Sequence, residues 1–281
     1  MSVLRLVKHQ GLGNDFLVAL DGFDDVDDGW ATIRSEELAD LARRACARRR
    51  GIGADGLLIG RRVGGRTTMV LYNADGSRAE MSGNGIRCFA HAIARRTGSL
   101  ADQVIETDAG ARTVTLEVTD HPDELLATVD MGVVTNLPEP DGWYLLGASP
   151  DRPVAHLSLG NPHSVVPVED VGAVDLVALG TKVPHVNLEI IESGPEPHAV
   201  TMRVHERGAG ITEACGTGAC AAAVAADLWG LATPVDGKLM VHMDGGTATV
   251  GIDGPSVTLQ GTTTYVGTVE IPVPEAVPPN P

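Results

Sequence analysis

Glu80-Met-Ser-Gly-Asn-Gly-Ile-Arg-Cys-Phe-Ala-His-Ala-Ile-Ala94 and Glu213-Ala-Cys-Gly-Thr-Gly-Ala-Cys-Ala-Ala-Ala-Val-Ala-Ala226 decide how this chain is read. Each opens on a glycine-rich turn and runs into a helix. In the first, Ile86, Phe89, Ala90, Ile93 and Ala94 recur at helical spacing, and Gly98 is a natural C-terminal stop. The second is so rich in alanine that it should be buried on most sides, with Gly230 as its stop. Small residues all round a helix imply strands that wrap closely about it. The two stretches read as copies. Ser82-Gly-Asn-Gly and Cys215-Gly-Thr-Gly lie 133 residues apart, and so do Asn73 and Glu206. Gly13-Asn14 and Gly160-Asn161 form a third pair at a larger offset.

Working outward, most of the remaining chain reads as short strands. Leu4/Leu6, Val114/Leu116/Val118, Val200/Met202/Val204 and Leu239/Val241 recur at the alternating spacing of strands. Ser35 to Arg50 is expected to be a helix with Leu38, Leu41, Ala42 and Ala45 on one face. The strand Thr264–Ile271 has no helix of its own and should complete a sheet begun earlier. The proline-rich end, 272–281, is expected to fray. No low-complexity linker separates the halves, so they should pack tightly around a cleft. Gly51-Ile-Gly-Ala-Asp-Gly56 matches a dinucleotide fingerprint literally, but that site needs a strand before it and a helix after it. Here the order is inverted, and 51–53 reads as a helix-to-strand turn.

Composition excludes several classes of function. The 281 residues are 43% hydrophobic but only 3% aromatic, so Val, Leu, Ile and Ala must fill the core. A formal net charge of −16 disfavours nucleic acid and anionic membrane as partners. No apolar run is long enough to span a bilayer, and Met1 to Gln10 does not resemble a signal peptide, so cytoplasmic residence is expected. The cysteines, at 46, 88, 215 and 220, read as free thiols. None of the three lysines, Lys8, Lys182 and Lys238, sits in a recognisable cofactor context. The nine histidines are scattered without metal-ligand spacing. Neither a metal nor any other cofactor is expected.

The duplication predicts chemistry as well as fold. Each half offers a side chain at a helix mouth, Ser82 and Cys215, followed by free backbone N–H groups. Helix N-termini bind anions because those groups lack partners and the macrodipole is positive there. Two such ends facing one another would grip one carboxylate from both sides. They would also stabilise the charge that forms when the neighbouring carbon loses its proton. The same field should lower the pKa of the Cys215 thiol. A proton-handling group on each face of one carbon is the minimum needed to invert it.

Gly11-Leu-Gly-Asn-Asp-Phe, Asn73-Ala-Asp-Gly-Ser, Ser82-Gly-Asn-Gly-Ile-Arg, Gly160-Asn-Pro-His, Val186-Asn, His205-Glu-Arg-Gly-Ala-Gly and Ala214-Cys-Gly-Thr-Gly together resemble the motifs of the diaminopimelate epimerase family, in that family's order across nearly the whole chain. The resemblance implies an α/β (α+β) fold of two pseudo-symmetric halves. Each would be a barrel-like β-sheet around a central helix, with the active site in the cleft between them. We place the N-terminal half at 1–130 with the returning strand 264–281, and the C-terminal half at 131–263. The resemblance also implies a homodimer that interconverts LL- and meso-diaminopimelate for lysine and cell-wall precursor synthesis. Cys215 would then be one catalytic acid/base. The N–H groups of Gly83, Asn84, Gly216 and Thr217 would hold the reacting carboxylate. Asn73, Asn161, Asn187 and Arg207 would read the distal amino-acid end, Arg207 by its bidentate fork. Asn14 and Glu206 would position the reacting ammonium, and His163 would tune a catalytic group.

Two positions depart from the family. Gly56 stands where many members have glutamine, and Ser82 stands where they have the second catalytic cysteine. A hydroxyl ionises far less readily than a thiol, whose reference pKa is about 8.5. Cys88 is no replacement, since it lies more than a turn inside the helix on another face. Two other readings stay open: a racemase of another amino acid, and an inactive form that binds substrate without turnover. Ser82 favours the second.

Overall fold

The computed structural model describes residues 3–24, 30, 33, 35–149 and 151–272. The N-terminal dipeptide and the end of the proline-rich tail, 273–281, lie outside the described residues. Among the described residues four α-helices, α1 (Ser35–Ala45), α2 (Gly83–Thr97), α3 (Leu176–Gly180) and α4 (Gly216–Trp229), sit among strands that form one continuous hydrogen-bonded sheet.

The sheet closes on itself twice. In the N-terminal half Val3–Gly11 pairs antiparallel with Asn14–Asp21, which runs parallel to Gly56–Val63, itself antiparallel to Arg66–Asn73. Arg66–Asn73 runs parallel to Gln103–Thr107, and two more antiparallel steps reach Glu124–Val133. The C-terminal half repeats the sequence of pairings from Ala155–Ser158 through Pro162–Pro167, Asn187–Ser193, Ala199–Glu206, Lys238–Met243 and Gly246–Asp253. One long strand, Ser256–Pro272, serves both barrels. Its first part pairs with Gly246–Asp253 and Glu124–Val133, and its last part pairs with Val3–Gly11. The expected returning strand is therefore the second half of a longer element.

Each barrel encloses one helix. The α2 helix touches strands of the N-terminal half on several sides, and α4 does the same in the C-terminal half. The alanines from Ala219 to Ala226 are all completely buried, as the near-uniform small surface of α4 required. Both helices end where expected, on Gly98 (φ 67°) and Gly230 (φ 65°) in the left-handed region that favours glycine. A second cluster packs α1 through Leu38, Leu41, Ala42 and Ala45 on the outside of the first barrel. That helix is shorter than the sequence suggested. It ends at Ala45, and the Ile52 and Gly53 N–H groups turn back onto the Ala45 carbonyl. Arg48 is drawn instead to Asp15 and Asp55, so the arginine run belongs to a turn. Residues 51–55 lead from α1 into Gly56–Val63, the helix-to-strand order that excludes a dinucleotide loop.

Candidate active site

Ser82 and Cys215 occupy the same place in their halves. Each is the N-cap of its central helix with extended backbone, φ −136° and −126°. The Ser82 hydroxyl accepts the Gly85 N–H at 3.0 Å, and the Cys215 sulfur accepts the Gly218 N–H at 3.4 Å. The two helix starts touch. A β-carbon placed on Gly83 would lie 3.2 Å from the Gly216 Cα, and one on Gly216 would lie 3.0 Å from the Gly83 Cα. Either would also stand 2.8 Å from Leu259 Cδ2, on the strand that both barrels share. Only glycine lets the two helix ends approach this closely. Cys215 is 5% exposed, whereas Ser82 is only partly buried.

Around Cys215 the polar groups form a chain. The Thr217 hydroxyl lies 3.6 Å from the sulfur and accepts from Asn161 Nδ2 at 3.2 Å. Asn161 Oδ1 faces His163 Nε2 at 3.0 Å, and His163 Nδ1 faces Glu189 Oε1 at 2.6 Å. His163 and Glu189 are completely buried as a pair. With Asn161 donating to Thr217, its carbonyl requires an N–H on His163 Nε2, so a further proton is shared between Nδ1 and Glu189. Glu206 completes the group, accepting from Thr212 Oγ1.

This surrounding reverses one expectation. The Cys215 thiol is pushed well above its ordinary range, first by burial and then by the Glu206 and Glu189 carboxylates. The Thr217 hydroxyl and the Gly218 N–H pull the other way without prevailing. A helix end offers about half an elementary charge, less than two carboxylates and desolvation oppose to it. Burial also raises the Glu206 carboxyl, with Glu189 adding to the effect. In this arrangement Cys215 holds its proton beside the Glu206 carboxyl.

The Ser82 side lacks that apparatus. The parallel strand pairs set Phe16 opposite Gly56 in one half and His163 opposite Asn187 in the other, so Leu58 stands where Glu189 stands. A β-carbon on Gly218 would meet Glu189 Oε1 at 2.7 Å, whereas one on Gly85 meets Phe16 Cζ at 3.4 Å. The halves are copies in backbone and opposites in chemistry.

The other expected residues fall into groups. Asn14 and Asn84 meet beside Ser82, with Asn84 Nδ2 at 3.4 Å from Asn14 Oδ1 and 3.2 Å from the Ala214 carbonyl. Asn161 and His163 lie with Cys215. Asn187 is buried with its amide engaged by backbone, donating to the Pro162 carbonyl and accepting the Arg207 N–H. Asn73 closes a tight turn with Ser77 on the exposed rim. Arg207 is also on the rim, 3.7 Å from Glu80 of the other half, so it bridges the cleft. Cys88 is buried inside α2 with its thiol raised to about 11 by burial. Glu189 was missed by sequence reading. Its signal is a lone acid inside Asn187-Leu-Glu-Ile-Ile, where Leu57-Leu-Ile is wholly apolar. Among the described residues, no group of three or more His, Cys, Asp or Glu side chains is placed to hold a metal ion.

Comparison with known proteins agrees with this geometry. The family model for diaminopimelate epimerase matches residues 6–137 and 156–268. The chain is 37% identical over 265 residues to diaminopimelate epimerase of Synechococcus elongatus, covering 86% of this chain and 89% of that one. It is 34% identical over 296 residues to the Halothermothrix orenii enzyme of the same name, covering 97% and 99%. Two solved structures share the fold at low identity. A phenazine biosynthesis protein of Bacillus anthracis has TM-score 0.71 at 16% identity, covering 97% of this chain and 100% of that one. A hydroxyproline epimerase of Agrobacterium vitis has TM-score 0.67 at 16% identity, covering 96% and 92%. With motifs, paired barrels and sequence relatives in agreement, the chain belongs to the diaminopimelate epimerase family.

Proposed function

We propose that this protein epimerises diaminopimelate, exchanging the α-proton at one end of the substrate between opposite faces. The observation that carries this reading is the contact of two pseudo-equivalent helix N-termini capped by Ser82 and Cys215. The N–H groups of Gly83, Asn84, Gly216 and Thr217 gather where a carboxylate would sit, and they stabilise the enediolate-like charge formed on proton loss. Cys215 delivers a proton from one face in its resting thiol form. Removing one requires the thiol to pass its own proton on, and Glu206 is the adjacent acceptor. Both steps use side chains alone, so the reading needs no cofactor. The distal end falls to the rim, where Arg207, now paired with Glu80, matches a carboxylate and Asn73 lies a few residues from Glu80 in sequence.

Ser82 divides the reaction. A neutral hydroxyl gives up a proton poorly because the alkoxide left behind is costly to form, and Phe16, Leu58 and Asn73 stand in this half where His163, Glu189 and Glu206 stand in the other. Exchange on the Cys215 face should therefore outrun complete inversion. An inactive, substrate-binding form is the second reading, favoured by the same residue. The homodimer is carried by the family resemblance, the division of the chain at 1–130 with 264–281 and at 131–263 by the internal repeat and the returning strand, and cytoplasmic residence by the sequence expectation alone.

Solvent-deuterium incorporation tests the function. In deuterated water, LL- or meso-diaminopimelate should acquire deuterium at one α-carbon, and a Cys215→Ala variant should abolish it. Binding without any incorporation would establish the second reading instead.

A further inference from the structure

The N-terminal half contains a fully buried arginine that the chemistry above does not use. Arg87, on α2, has no exposure and no carboxylate partner among the described residues. Gly11 and Gly261 make room for its guanidinium: a β-carbon on either would lie within 3.3 Å of Nη2. Burial pulls its pKa down to about 10, so its charge persists near neutral pH. Its Nη2 donates to Asn84 Oδ1 at 2.9 Å and its Nη1 to the Gly83 carbonyl at 3.4 Å. Asn84 Nδ2 in turn faces Asn14 Oδ1, and Asn14 Nδ2 donates to Asp55 Oδ2 at 2.6 Å. Asp55 is paired with Arg48 at 2.7 Å and also accepts the Asp15 N–H.

The two ends of this chain are chemically one-way. A guanidinium only donates hydrogen bonds, and a carboxylate only accepts them. An amide between such groups has one orientation, although its oxygen and nitrogen are nearly the same size. Arg87 forces the Asn84 oxygen toward itself and its NH₂ toward Asn14. Asp55 holds the Asn14 NH₂ to itself and so leaves the Asn14 oxygen toward Asn84 on α2. One lone pair of that oxygen meets Asn84 at a long 3.4 Å, and the other remains available beside the helix mouth.

We propose that Arg87 and Asp55 are specificity-determining positioning residues, which lock Asn14 with its carbonyl oxygen toward the reacting end so that the site selects a substrate bearing an ammonium there. The inference rests on the epimerase reading of the cleft. Neither residue touches the reacting atoms. Each acts through an amide.

Titration calorimetry with two ligands tests it. Diaminopimelate carries an ammonium at both ends, and 2-aminopimelate is the same chain with only one. The parent should prefer diaminopimelate. Asp55→Asn places a group at 55 that can either donate or accept, so Asn14 is free to turn. The preference should fall about 10-fold, the scale of one lost hydrogen bond to a charged group. Asp55 is partly exposed, so this shape-matched variant should fold, and Arg87→Met should act in the same direction if it folds. In an Asn14→Leu background neither variant should change the ratio further. A merely structural role would weaken both ligands alike. An unchanged preference in Asp55→Asn overturns the proposal while leaving the function intact. Failure of the parent to bind diaminopimelate overturns the function, and this inference with it.

Discussion

At Cys215 and Ser82 the molecule does opposite things with equivalent positions. The thiol sits among Glu206, Glu189 and His163, whereas the hydroxyl sits beside Phe16. Ser82→Cys should therefore raise epimerisation about 10²–10⁴-fold, the usual contribution of a general acid–base group, with substrate affinity little changed. Comparing the interconversion rate of the parent and the variant checks this, and equal rates would make serine a competent base. Glu206→Gln should separate two effects. Removing a carboxylate from beside the sulfur lets the Cys215 pKa fall toward its ordinary value, so iodoacetamide should alkylate this cysteine at lower pH, as read by peptide mass. Turnover should nevertheless drop, because the thiol loses its proton acceptor. A variant that alkylated with the parent's pH profile would remove Glu206 from the thiol's electrostatics. Much of this site was legible in the sequence, because the repeat places Ser82, Cys215 and their glycines by counting alone. Glu189 was not, since a buried acid in a strand is recognisable only once its partner, His163, is known to lie across a parallel pairing. The direction of the Cys215 shift was hidden for the same reason. The helix end is local in sequence, whereas the opposing carboxylates arrive from other strands.

Among elements, the contact of α2 with α4 is the most constrained. Gly216 has ordinary backbone angles for a helix start, so alanine there costs little in conformation and much in space. Its β-carbon would meet Gly83 Cα at 3.0 Å and Leu259 at 2.8 Å. Gly216→Ala should push the helix ends apart and reduce turnover about 10²-fold, since displacements near 1 Å have that effect. Circular dichroism should stay close to the parent's, because the barrels are held elsewhere. Activity within a few-fold of the parent would mean that the gap between the helices is not set here. The two central helices and their stops were readable from spacing and glycines. The end of α1 was not, because helical periodicity continues through the arginines while Asp15 and Asp55, distant in sequence, pull Arg48 out of register.

Across the whole molecule, the last strand joins the first over a pair of buried histidines. His9 and His91 rings lie 4.6 Å apart, His9 contacts Tyr265, and Arg95 stands over the same tyrosine while pairing with Asp123. Burial first, then the neighbouring positive groups, holds His9 well below its ordinary pKa, and burial brings His91 to about 4. For groups depressed in the folded state, the stability they confer is present above the unfolded value of about 6.5 and is lost as pH falls toward the folded value. His91 alone should account for roughly 3 kcal/mol between pH 7 and 4. Urea midpoints across that range should fall less in His9→Leu than in the parent, and parallel curves would place the acid sensitivity elsewhere. That the last strand serves both barrels was invisible in sequence, because Ser256–Pro272 alternates without a break where it changes partners. The same strand fixes the order in which the protein can be made. Val3–Gly11 leaves the ribosome first, yet its partner is residues 264–272. The N-terminal barrel stays one stave short until residues 256–272 have been made, with the edges of Val3–Gly11 and Glu124–Val133 unpaired on that side. Closing so long a loop is slow, and an open edge invites pairing with other chains. The appearance of residues 256–272, rather than translation of the first half, is the event that lets either barrel shut.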